Sequence, residues 1–162
     1  MGYILEIGRL RLEPGDSESY DFSFSPTETD DGFSLLAPVR VVGSMTFGGN
    51  EFLLAGRLAA DTRIACSRCL APVDREIAFD FDEEFDEADF PGEDATIDLA
   101  DIAYQMLVTA IPMQSLCRED CMGLCPVCGK DLNEGACACP TESIDPRLEA
   151  LRELLDNKPE AK

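Results

Sequence analysis

Apolar residues recur at every second position through much of the first two-thirds of the chain. In "YDFSF", Tyr20, Phe22 and Phe24 alternate with small polar residues, as a half-buried strand requires. "VRVVGSMTF" and "EFLLAGRLAA" flank a Gly-Gly-Asn turn at 48–50. Phe52, Leu54, Gly56, Leu58 and Ala60 share one face, and the pair reads as a hairpin. "DTRIA" and "VDREIAFDF" flank "CSRCLAP", with Val73, Arg75, Ile77, Phe79 and Phe81 on one side. That predicts a second hairpin with two cysteines at its tip. Long alternating strands joined by short turns predict an antiparallel meander.

The period changes in "IDLADIAYQMLVTAIP". Leu99, Ile102, Ala103, Met106, Leu107 and Ala110 fall at helical spacing and form a stripe for packing on the sheet. Asp98 is placed to cap this helix, Asp101 lies in its first turn, and Pro112 stops it. A second, terminal helix is predicted in "SIDPRLEALRELLDNK", with Asp145 as cap, Pro146 in the first turn, and Leu148, Leu151, Leu154 and Leu155 as its apolar face. Between the strands and the first helix, residues 80–98 contain ten acidic residues and no basic one. This stretch reads as a solvated linker; the sharper alternative is an acidic flap, anchored by Phe81, Phe85 and Phe90, that meets a basic partner. The fold class that results is α+β: an antiparallel meander with one packed helix, a cysteine-rich segment and a short C-terminal helix. Its parts are a β-rich core at 1–113, the cysteine-rich segment at 114–140, and the helix and tail at 141–162.

Composition narrows the function. Thirteen basic residues against 33 acidic ones leave a net charge of −20. Phosphate contacts carry most nucleic-acid affinity, so this balance disfavours RNA and favours a basic protein partner or simple solubility. The chain has no histidine, which excludes Ser-His-Asp and Cys-His catalysis and every His-containing metal site. No nucleophile elbow, phosphate loop or dinucleotide fingerprint occurs, and nothing points to an enzyme. The start "MGYILEIGRL" has no basic region followed by a long apolar core, and no apolar run reaches the length of a membrane span. A cytoplasmic protein is expected.

In a reducing compartment, patterned cysteines point to metal before disulfides. The eight fall as Cys66-x2-Cys69, Cys117-x3-Cys121, Cys125-x2-Cys128 and Cys137-x-Cys139. Two residues between thiolates allow a tight turn whose N–H groups face the sulfurs, so both reach one tetrahedral Zn²⁺ at about 2.3 Å. In "CPVCG", Pro126 pre-sets the turn and Gly129 can take positive φ; "CSRCL" has the same pair without the glycine. The preferred partition makes Cys125, Cys128, Cys137 and Cys139 one local site and joins Cys66 and Cys69 to Cys117 and Cys121. The alternative pairs Cys66 and Cys69 with Cys125 and Cys128. One or two structural Zn²⁺ ions are expected. Disulfide exchange is the competing chemistry, although neither Cys-x2-Cys follows a βαβ strand at a helix N-terminus; a redox-sensitive zinc switch is a further alternative.

Together, "CSRCLAPV", "IDLADIAYQMLVTAIPM", "LCREDCMGLCPVCGKDLNEGACAC" and "DPRLEALREL" resemble the YceD-like family, the large ribosomal RNA subunit accumulation proteins. The resemblance covers roughly residues 57–155. It implies a non-catalytic role in rRNA accumulation and ribosome biogenesis, and the net charge of −20 then points to a basic ribosomal protein or a pre-ribosomal particle as the partner. The alternative is direct rRNA binding by the zinc module through Arg63, Arg68, Arg118 and Lys130. These are interleaved with Glu119, Asp120, Asp131 and Glu134. No membrane and no small-molecule substrate is implied.

Overall fold

In a computed structural model describing residues 2–12, 14–26, 32–92 and 94–140, the alternating stretches are strands. The elements are β1 (Ile4–Glu6), a 3-10 helix (Gly8–Leu12), β2 (Ser17–Phe24), β3 (Phe33–Leu35), β4 (Val39–Phe47), β5 (Glu51–Ala65), β6 (Pro72–Asp86), a second 3-10 helix (Glu87–Asp89), β7 (Thr96–Asp98) and α1 (Leu99–Ala110). The fold is α+β, with antiparallel sheets and one α-helix among the described residues. None of the described helices is long and apolar enough to cross a membrane.

β5 is the spine. β4 pairs with its residues 52–59 and β3 with 62–64, while β6 pairs with the whole of 51–65. β3 and β4 therefore share one edge of β5, and β6 takes the other. β2 closes the sheet beyond β4. The period-two pattern decides which face is buried. Phe52, Leu54, Leu58, Ala60, Thr62 and Ile64 of β5 point inward with Val39, Val41, Met45 and Phe47 of β4 and Tyr20, Phe22 and Phe24 of β2. α1 lays Leu99, Ala100, Ala103 and Leu107 on that face, and all but Thr62 belong to one apolar cluster.

The helix starts where its cap chemistry dictates. Asp98 accepts a hydrogen bond from Ala100 N at 3.0 Å, and Asp101 sits in the positively polarised first turn. Ile111 is extended at its C-terminal end, as a residue before proline prefers. β1 pairs with β7 in a small second sheet, and Leu99 N donates to Tyr3 O at 2.8 Å. The N-terminal strand and the helix start thus hold each other.

Two glycines on the core face are paired across strands, Gly43 with Gly56. Their missing side chains admit Tyr20, whose hydroxyl donates to Ala55 O at 3.0 Å; burial pushes its pKa up to about 12. A Cβ on Gly56 lies 2.5 Å from Val42 O and 2.8 Å from the Tyr20 hydroxyl. Because one neighbour is backbone, Gly56→Ala is expected to cost about 1–3 kcal/mol in denaturant unfolding, as overpacked core sites do. A cost near zero would show that the strands do not approach this closely.

The acidic stretch departs from the linker reading. Residues 80–86 complete β6, and Phe81 and Phe85 face the core side. Phe90 packs edge-on against Phe52 and Phe85, with centroids 5.8 and 5.9 Å apart. Arg11 holds the turn beyond it, donating to the carbonyls of Glu87, Phe90 and Gly92. Aromatic anchors and one arginine give this stretch the contacts a linker lacks. The predicted C-terminal helix lies outside the described residues.

Candidate metal centre

The hairpin tip between β5 and β6 carries the first cysteine pair. Cys66 N donates to Ala71 O at 2.8 Å, and Leu70 N donates to Cys66 O at 2.9 Å. The turn at Cys125 repeats this geometry, with Gly129 N donating to Cys125 O at 2.9 Å. Gly129 has φ 72°, and Leu70 takes φ 63° at the equivalent place. A leucine in the left-handed region is strained. The knuckle enforces the conformation even where the sequence supplies no glycine.

The chain after α1 is sewn to this tip. Ser67 N donates to Ser115 O at 2.7 Å, and Ser115 N donates to Ser67 Oγ at 3.0 Å. Arg75 of β6 reaches Ser115 Oγ and Leu116 O. These bonds bring Cys117 and Cys121 beside Cys66 and Cys69, and the four thiols form one group. Cys125, Cys128, Cys137 and Cys139 form a second. This is the grouping that the spacing favoured, with the first pair joined to Cys117 and Cys121 across the fold. In each group all sulfurs lie within 4.8 Å of one another.

The first group is set into the fold. Cys66, Cys69 and Cys121 are buried and form a small cluster of their own, packed by Ala71, Val73, Leu116 and Leu124. Its sulfur separations are 3.9 Å for Cys66–Cys121 and 3.6 Å for Cys69–Cys117. Disulfide sulfurs sit at about 2.05 Å. A tetrahedron of sulfurs around an ion at about 2.3 Å has edges of about 3.8 Å. The spacing fits the second arrangement and not the first. The second group is more open: Cys125 is buried, Cys128 exposed, and Cys137 and Cys139 intermediate.

Backbone N–H groups aimed at sulfur lower the pKa of one thiol in each group to about 6. For Cys66 they come from Cys69, Arg68 and Cys117; for Cys125, from Cys128 and Val127. Although the residue as a whole is exposed, desolvation of its sulfur, followed by the neighbouring sulfurs, pushes Cys117 up to about 12. Cys139 is pushed up to about 12 chiefly by Cys128 and then by burial. Four thiolates repel one another in so small a volume. Each group could hold a metal ion, and a cation at its centre would let all four be ionised together.

Asn133 carries the coupling that the spacing does not reveal. Its Nδ2 donates to Cys121 Sγ at 3.4 Å, and its Oδ1 accepts from Met122 N at 2.8 Å and Arg118 Nη2 at 2.7 Å. Asp131 Oδ1 accepts from both Asn133 N and Nδ2, at 2.8 and 2.7 Å. The Asn133 side chain is the main cause of the lowered pKa of Cys121. The segment between Cys128 and Cys137 thus orients a sulfur of the first group. The only sequence signal was the position of Asn133 in "CPVCGKDLN", where it had no assigned role.

The four cations considered for RNA contact all have partners within the chain. Arg63 pairs with Asp74 at 2.6 Å, and Arg118 with Asp120 at 3.4 Å. Arg68 donates to Cys121 O at 2.8 Å, and Lys130 to Ala136 O at 3.2 Å.

A profile of the family described as Large ribosomal RNA subunit accumulation protein YceD matches residues 54–155, a span that includes all eight cysteines. An uncharacterized protein of Mycobacterium tuberculosis, Rv2926c, is 33% identical over 171 residues, covering 93% of this chain and 80% of its own length. An uncharacterized protein of Bacillus subtilis, YlbN, is 28% identical over 145 residues, covering 83% of this chain and 84% of its own. No solved structure matches this chain.

Proposed function

The chain belongs to the YceD family of large ribosomal RNA subunit accumulation proteins, and from that premise we propose that it is a non-enzymatic factor in biogenesis of the large ribosomal subunit. It binds a basic ribosomal protein, alone or within a pre-ribosomal particle. Two structural Zn²⁺ ions hold the segment that follows α1. One is bound by Cys66, Cys69, Cys117 and Cys121, the other by Cys125, Cys128, Cys137 and Cys139. Four thiolates complete the coordination of each ion and leave no position for water or substrate, so the sites build structure. The family match supports the ribosomal role. The net charge of −20 carries the choice of a cationic protein over naked RNA. Eight thiolates with two divalent ions add about four more negative charges.

The test is a zinc measurement followed by capture with and without RNase. Two zinc ions per chain and RNase-resistant capture of a basic large-subunit protein support the proposal. Capture lost on RNase treatment, with salt-sensitive binding to naked large-subunit rRNA, overturns it.

Asn133 gives a sharper check. Residues that hydrogen-bond a metal ligand typically contribute about 10- to 100-fold in affinity. Asn133→Ala removes a donor to Cys121 Sγ without touching a ligand. It is expected to weaken one of the two zinc sites by about that factor, read by competition with a chromophoric chelator. Unchanged affinity at both sites would show that this contact does not tune the sulfur.

A further inference from the structure

β6 is fifteen residues long and has β5 on one side only; among the described residues no strand pairs with its other edge. The hydrogen bonds fix which residues that edge exposes. Cys66 N donates to Ala71 O, and Glu87 N donates to Asn50 O, one bond at each end of the β5–β6 register. Antiparallel ladders alternate bonded and non-bonded pairs. The odd-numbered residues of β6 therefore bond to β5. The even-numbered ones turn to the free edge: Pro72, which has no N–H, presents only its C=O, while Asp74, Glu76, Ala78, Asp80, Asp82, Glu84 and Asp86 present both N–H and C=O. Bonds from Gly48 N to Glu51 O and from Leu36 N to Asp61 O agree, because they turn the odd residues of β5 toward β4 and β3.

Six of those seven outward residues are acidic. Asp80 and Asp74 have Arg57 and Arg63 as partners. Glu76 instead faces Asp61 directly across the strands, a like-charge pair that costs stability unless a cation joins it. The other face of the strand differs. There Phe85, with Ile102 and Met106 of α1, lines a groove of about 290 Å³, rimmed by Glu83, Gln105 and Thr109.

We propose that the free edge of β6 receives an extended cationic segment of the partner as an added strand. The segment alternates basic and apolar residues, with the basic ones beside Glu76, Asp82 and Glu84 and the apolar ones in the α1–β6 groove. The inference rests on the proposed binding of a basic protein and gives that binding a place and a mode. Main-chain bonds supply affinity and alternate side chains supply specificity in strand addition. The same charge excludes a second copy of this chain, since edge-to-edge pairing would set acid against acid.

The probe is a synthetic peptide of about ten residues, the length of a long strand, alternating lysine and valine; a glutamate-for-lysine peptide is the control. Added to the full-length zinc-loaded chain, the lysine peptide is expected to slow hydrogen exchange at the amides of Glu76, Ala78, Asp80 and Asp82, and its binding to weaken with salt. Ala78→Pro removes an outward N–H and spares the β5 ladder, a position where edge proline is tolerated. It is expected to lower affinity roughly tenfold or more. Should that variant not fold, the triple variant Glu76→Gln, Asp82→Asn, Glu84→Gln keeps the edge and is expected to flatten the salt dependence.

Equal binding of both peptides, or undiminished binding by the folded variants, overturns the proposal. So does protection of those amides in the peptide-free chain, which shows the edge covered by another segment or, if it rises with protein concentration, by a second copy. RNase-resistant capture is scored separately. Its survival in Ala78→Pro removes the edge and leaves the functional reading. Its absence in the wild-type chain, with the peptide still bound at the edge, removes the functional reading and leaves the edge.

Discussion

Stripped of metal, the purified chain is expected to lose order across residues 115–140 while the β2–β6 sheet persists. The segment cannot order itself by burial. Besides its cysteines its larger apolar residues are Leu116, Met122, Leu124, Val127 and Leu132, and Met122 and Val127 are 66% and 63% exposed. Its regular structure amounts to one isolated bridge, Leu124 to Asp131, and a set of turns. Structural zinc in finger peptides contributes about 10–16 kcal/mol near pH 7, far more than those turns. The sheet has its own apolar cluster and does not draw on the cysteines.

Loss is expected in two steps. Cys128 is exposed and Cys137 and Cys139 are partly so, whereas three of the four thiols in the other group are buried. A chelator should therefore empty the outer site first. Loading the metal expels protons, most of all from Cys117 and Cys139, whose pKa values stand at about 12. Acidification consequently favours release and alkaline pH favours retention. Zinc release followed with a chromophoric chelator, alongside amide spectra, reads both events. Single-step release, or a metal-free chain with residues 115–140 still ordered, would sink the argument.

The period-two pattern made the long strands legible, because a half-buried strand writes its register into the sequence. The faces formed by Phe52 to Ala60 of β5 and by Val73 to Phe81 of β6 needed only the alternation and two turns; the strands pair Phe52 with Phe85 and Ile64 with Val73. β1, β3 and β7 are three residues each and too short to show a period. They exist because of tertiary contacts such as Leu99 N to Tyr3 O. The acidic stretch misled for a related reason. Charge alone reads as solvent exposure, and half of each strand residue set is indeed solvated. What orders 80–92 is long-range: Phe90 on Phe52, and Arg11 some eighty residues away in sequence. At the cysteines, spacing showed which pairs form knuckles. The grouping across the fold depends on Ser67, Ser115 and Arg75, polar residues whose pairing leaves no local pattern.

Phe52→Ala is the core substitution with the largest expected cost, about 3–5 kcal/mol, the range for a buried phenylalanine. Phe52 is fully buried. It lies 4.8 Å from the Phe47 ring and 5.8 Å from Phe90, and the Arg11 guanidinium sits 5.6 Å above it. Removing the ring opens a cavity under the turn at 87–92, so Arg11 loses a surface as well as the sheet losing packing. For a chain of this size each kcal/mol lowers Tm by about 2–4 °C, so the drop is roughly 6–20 °C. Leu53→Ala is the matched control. Leu53 is the next residue on the same strand, but it points to the outer face and is 39% exposed. Its truncation is expected to cost about 1 kcal/mol or less. A one-residue slip of β5 would exchange the two faces and reverse the order of the costs. Denaturant unfolding of both variants in the zinc-loaded state therefore tests the register itself. Equal losses at 52 and 53 would mean that the sheet does not bury the face assigned to it.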